Sequence, residues 1–153
     1  MERNIKFLKQ SRETTLKAIQ DLTFDQLCKI PEGYNNSIFW NIAHLAVTQQ
    51  LLCYSLSGTK MYIEDQAIID GFRKGSKPKS NYSQAEWKTM LNYFKTLPAL
   101  LEKDWQANRF DKPFKLYRTS FGVELNSIED AITFNNIHEG MHFGYILALR
   151  KLV

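Results

Sequence analysis

Histidine is scarce in this chain and cysteine scarcer: of 153 residues, three are histidine and two are cysteine. Two widely separated thiols, Cys28 and Cys53, make neither a disulfide framework nor a CxxC redox or zinc motif, which fits a reducing compartment. Cys53 lies nine residues beyond His44, half a turn out of phase on a helix, so both cysteines read as structural thiols. No apolar run approaches the roughly 18 residues of a membrane span, and Met1 to Lys6 has charge but no apolar h-region. A cytoplasmic location away from membranes is expected. A continuous basic stripe is also missing. The net charge is only +4, and the one local gathering, Lys60, Arg73, Lys74, Lys77 and Lys79, falls in a loop-like stretch without a docking motif, so no nucleic-acid partner is expected.

What is present is an ordinary globular composition, 44% hydrophobic and 24% charged. A chain of this length buries roughly two thirds of its unfolded surface around one core, so residues 1–153 read as a single domain. Ile5, Leu8, Thr15, Leu16 and Ile19 recur at helical spacing without Gly or Pro, predicting a first helix over 2–20. Thr23 to Gln26 matches a capping box, and the short helical turn it starts should stop before Pro31. A second long helix is expected from Ser37 to Leu56, ended by Ser57-Gly58. It carries two apolar faces. Trp40, Thr48 and Leu51 lie beside His44, while Ile38, Ile42, Leu45, Ala46, Cys53 and Leu56 lie nearly opposite, which predicts cover on both sides by other helices or a second subunit.

Thr59 to Asn81 reads as a long crossover loop with a helical turn around Glu64 to Phe72, and a loop of this length is a candidate pocket wall. Ser83 to Glu86 is another capping box, opening a third long helix to about Ala107 with Pro98 inside it and a kink expected near Phe94. Alternation in Phe114 to Tyr117 and in Phe121 to Leu125 suggests a short hairpin. The last helix starts at Ser127, with acidic residues in its first turn and Arg150 and Lys151 in its last. The fold class is therefore all-α, a four-helix bundle with a long crossover and a short extended hairpin before the last helix. Bundle cores of this kind build metal sites from facing side chains.

The last helix holds the most informative stretch, Asn135 to Tyr145. His138 and His142, four residues apart on a helix turning about 100° per residue, share one face and can chelate one ion. Ala131, Phe134, Met141, Tyr145, Leu149 and Leu152 fall on the same stripe, so that face is expected to point inward. His44 is the third histidine, and three histidines make one site. Three neutral imidazoles suit a divalent ion, zinc or nickel first and iron or copper after them, and leave coordination positions open as in catalytic sites. Asn135 and Glu139 are the candidate catalytic residues near it, and Trp40, Thr48 and Tyr145 the candidate pocket walls. His138-Glu139-Gly140-Met141-His142 also satisfies the H-E-x-x-H zinc-protease pattern. No His, Asp or Glu follows His142 to serve as a third ligand, which favours the bundle arrangement.

Two segments carry a resemblance. Asn36-Ser37-Ile38-Phe39-Trp40-Asn41-Ile42-Ala43-His44-Leu45 and His138-Glu139-Gly140-Met141-His142-Phe143-Gly144-Tyr145-Ile146-Leu147 resemble the DinB-like (DinB/YfiT) superfamily of metalloenzymes, as does the Phe121-Gly122-Val123-Glu124 element before the last helix. The resemblance implies a divalent ion held by one histidine of the second long helix and an H-x3-H pair of the last, here His44, His138 and His142. It also implies a homodimer, and among the activities of the family a thiol-dependent transferase or isomerase using a low-molecular-weight thiol. The expected function is a metal-dependent hydrolase or thiol-dependent transferase acting on a small molecule. The alternative is a non-catalytic metal-binding or interaction bundle.

Overall fold

A computed structural model describes residues 1–153. Six α-helices and one antiparallel hairpin follow in the order α1 (Glu2–Ile19), α2 (Phe24–Cys28), α3 (Ile38–Gln49), α4 (Gln66–Phe72), α5 (Gln84–Gln106), β1 (Tyr117–Arg118), β2 (Glu124–Leu125) and α6 (Ile128–Arg150). Side chains fix where three of the four long helices begin. Ser37 accepts from the Trp40 amide, Ser83 from that of Glu86 and Ser127 from that of Asp130, each cap worth about 1 kcal/mol. The hairpin pairs Tyr117 with Leu125 and Arg118 with Glu124, and Gly122 turns it at φ +78°.

Helix α1 packs on α5 and α6, and α3 packs on the same two, so α1 and α3 occupy opposite corners of a four-helix bundle. The hairpin packs against α6 through β2, and the crossover from α3 to α5 carries α4 against α3. No helix is long and apolar enough to cross a membrane.

The core is two apolar clusters with a polar layer between them. Ile5, Leu8, Leu52, Leu101 and Ile132 belong to one cluster; Ile19, Phe39, Phe94, Leu97 and Ile146 belong to the other. Between them stand Arg12 on α1, Gln49 and Gln50 at the end of α3, and Asn135 and Glu139 on α6, all buried. Arg12 reaches from α1 into the centre and touches the other three long helices. Its Nη2 donates to Glu139 Oε1 at 2.7 Å and to the Leu45 carbonyl at 3.2 Å, its Nη1 to the Phe94 carbonyl at 3.0 Å, and its guanidinium sits 4.5 Å over the Phe94 ring. The Phe94 carbonyl is available because Pro98, four residues on, has no N–H to offer it. Helix α5 is not interrupted there.

Two sequence expectations need correction, and one alternative is resolved. The helix read as Ser37 to Leu56 changes at the polar layer into a π-helical segment, Gln50–Ser55, where the Leu56 amide bonds to the Leu51 carbonyl five residues back. Its second apolar face needs no partner subunit, because Ile38, Ile42, Leu45, Ala46 and Cys53 are fully covered by the chain's own helices. That face therefore gives no reason for a homodimer. On α6 the buried residues are Ile128, Ala131, Ile132, Phe134, Asn135, Glu139, Ile146 and Leu149, so Ala131, Phe134 and Leu149 of the expected stripe face inward while Met141 and Leu152 are exposed. The two histidines flank the buried face and are only partly buried.

Candidate metal centre

Helix α3 supplies His44 because a helix buried along almost its whole length has no solvent side to receive a polar residue. His44 Nδ1 lies 2.6 Å from the Phe72 carbonyl at the end of α4. A carbonyl only accepts, so Nδ1 carries the proton and Nε2 presents its lone pair. His142 is fixed in the same way. Its Nδ1 lies 2.7 Å from Asn41 Oδ1, and Asn41 Nδ2 donates to the Ser37 carbonyl at 2.7 Å, so the amide is oriented with oxygen toward the imidazole. In His142, too, Nε2 is left free.

His138 closes the group. Its Nε2 is 3.3 Å from His44 Nε2, and the three imidazoles offer ligand atoms all within 4.8 Å of one another. Two nitrogens bound to one tetrahedral zinc are about 3.3 Å apart, given bonds of about 2.0–2.1 Å. The donor set and spacing therefore fit a divalent ion. Without a metal, one Nε2 of the facing pair must hold a proton for the other; an ion would take the place of that proton. The imidazoles are kept neutral, as ligands must be. Burial lowers all three, and neighbouring imidazoles add to it for the α6 pair, bringing His138 to about 3 and His142 to about 4. No fourth His, Cys, Asp or Glu joins the group.

The group opens into a cavity of about 250 Å³ walled by Trp40, Thr48, Phe134 and Met141, with Lys74 and Gly75 of the crossover and Thr119 and Ser120 of the hairpin. Trp40 stacks on His44 at 4.6 Å between ring centroids, and Thr48 Oγ1 stands 3.3 Å from His44 Nε2. A roomier cavity of about 330 Å³ lies between α4 and α5, but its charged pair, Lys79 and Glu86, is already bonded to itself. The other residues proposed from sequence lie elsewhere. Tyr145 packs edge-on against Tyr34 and is not in the cavity wall. Asn135 is buried in the polar layer with neither amide atom paired, and Glu139 is turned into the core against Arg12. A carboxylate held there cannot serve as the general base of a zinc-protease motif. Cys53 is equally out of play, its thiol pushed up to about 12 by burial.

Sequence reading passed over Asn41, the Phe72 carbonyl and Lys74. Asn41 had a signal: it is the one amide within the apolar run Ile38 to Val47, and a buried amide must have partners. The Phe72 carbonyl had none, since any backbone group looks the same in sequence.

A helical bundle that gathers three histidines from α3 and α6 is a type of fold and site that could hold a metal ion. The chain belongs to the DinB superfamily, whose family model matches residues 8–146. No functionally curated protein matches the chain.

Proposed function

We propose that this protein is a metal-dependent enzyme in which His44, His138 and His142 hold one divalent ion, zinc or nickel, and that it catalyses attack of water or a low-molecular-weight thiol on a small electrophilic substrate. The observation that carries the reading is the absence of a fourth protein ligand from a three-histidine group that opens into a cavity. A structural site closes its coordination shell with protein; a site that keeps positions open is built for exchange. A divalent ion held there supplies Lewis acidity, acidifying the nucleophile and polarising the electrophile.

The chain's own residues do the rest. Asn41 and the Phe72 carbonyl hold the Nδ1 protons of His142 and His44 and so keep both Nε2 atoms directed at the ion. Trp40 shields one face of His44 from water. Thr48 brings a hydroxyl to the same nitrogen, placed to bond a ligand group beside it.

The test is elemental analysis of the purified protein followed by a hydrolase and thiol-transfer screen of the loaded and metal-stripped forms. One equivalent of metal with turnover lost on stripping supports the reading. Turnover that survives stripping sinks it, and one equivalent of metal without turnover in any assay favours a binding bundle instead.

A further inference from the structure

The cavity over the histidines has an unbalanced electrical lining. Its only ionisable side chain besides the histidines and Tyr117 is Lys74, and no carboxylate faces it. Glu139, the nearest acid in sequence to both α6 histidines, is spent on Arg12 inside the core. A divalent ion on three neutral imidazoles would keep its whole charge, and Lys74 adds to it.

Among the basic residues around it, Lys60 pairs with Glu64 at 3.0 Å, Arg73 with Asp70 at 2.9 Å and Lys79 with Glu86 at 2.7 Å. Lys74 and Lys77 have no acidic partner, and of these two only Lys74 lines the cavity. Its backbone is tied to the site: it follows by two residues the Phe72 carbonyl that holds His44, and Gly75 turns the chain beside it at φ +86°. The cavity thus offers an unpaired cation and lacks a negative charge to meet it.

We infer that the ligand of this site is a small organic anion, bound to the ion through one group and carrying a second, oxyanionic group that Lys74 pairs with. The volume, about 250 Å³, is at the small end for ligand pockets, so the molecule is of metabolite size. This inference rests on the metal reading above and names the substrate class for it.

The experiment uses the cobalt(II)-loaded protein, with succinate and glutarate as probes and their monomethyl esters as controls that keep the metal-binding carboxylate and remove the distal charge. Binding is followed by calorimetry and by the visible spectrum of the cobalt at low salt. In Lys74→Gln at least one diacid should bind about three- to five-fold more weakly, the size of an exposed ion pair, while its half-ester is unchanged; Lys74→Arg should restore the diacid. Equal weakening of diacid and half-ester, or no weakening of either, with cobalt bound overturns the inference and leaves the metal reading standing. Failure to take up cobalt overturns both.

Discussion

Arg12 and Glu139, 127 residues apart in sequence, form an ion pair of 2.7 Å at the centre of the bundle with 2% and 1% of their side chains exposed. Both guanidinium contacts, from Nε and Nη2, fall on Oε1, and Oε2 has no partner. Removing one member leaves the other charge buried, which costs about 3–5 kcal/mol. Arg12→Ala should lower unfolding free energy by about that amount in urea titrations. Arg12→Met with Glu139→Leu should recover most of the loss, since an apolar replacement of a buried pair is often neutral or better. A double variant as unstable as the single one would show that the layer stabilises by something other than the charge pair.

Alanine at His138 or His142 removes one of the three imidazoles without touching the apolar clusters. Each variant should keep its helical circular dichroism and lose the rise in melting temperature that metal gives the parent. Binding to the native state alone is what produces that rise, about 2.7 kcal/mol at a hundredfold excess over the dissociation constant. A variant that still melts higher with metal would place the ion elsewhere.

Asn41→Ala tests the support of His142 directly. The imidazole loses the acceptor that fixes its tautomer, and metal affinity should fall about 10- to 100-fold, as for other groups that orient a ligand from behind. Competition with a chromogenic chelator measures this without any assay of turnover. Unchanged affinity would mean that the α6 backbone alone orients the ring.

The metal-free protein should lose stability as pH falls through the histidine range. Burial, with help from the neighbouring imidazoles, holds His138 at about 3 and His142 at about 4, against an ordinary 6.5. Below 6.5 the unfolded chain therefore binds more protons than the folded one, and the contribution, whole above that point, declines toward the folded values. Melting temperatures taken from about pH 7 to about pH 5 isolate this effect, since ordinary carboxylates titrate mainly lower. A flat profile there would contradict the burial of the ring nitrogens.

Much of this was legible in the sequence because helices announce themselves by period and caps. Ser37, Ser83 and Ser127 begin helices as their positions suggested, and the i, i+4 spacing of His138 and His142 brings them together because α6 is regular there. Orientation is less legible. A stripe through Met141 and Leu152 is rotated by part of a turn from the buried face of α6, because hydrophobicity carries no trace of the ion pair that brings Glu139 inward. Arg12 had a signal of its own, as it continues the spacing of Ile5, Leu8, Thr15 and Ile19. Nothing local could name its partner on α6. The π-helical segment was equally out of reach, because a one-residue change in hydrogen-bond span depends on packing at both ends and leaves little trace in composition.

Pro98 ties two distant positions into one unit of variation. The carbonyl it releases at Phe94 is filled by a side chain from α1, so a residue with an N–H at 98 would compete with Arg12 for the same oxygen. Among relatives of this chain, the arginine and the proline should be gained and lost together, and a lineage that keeps one alone should carry a compensating change near Phe94.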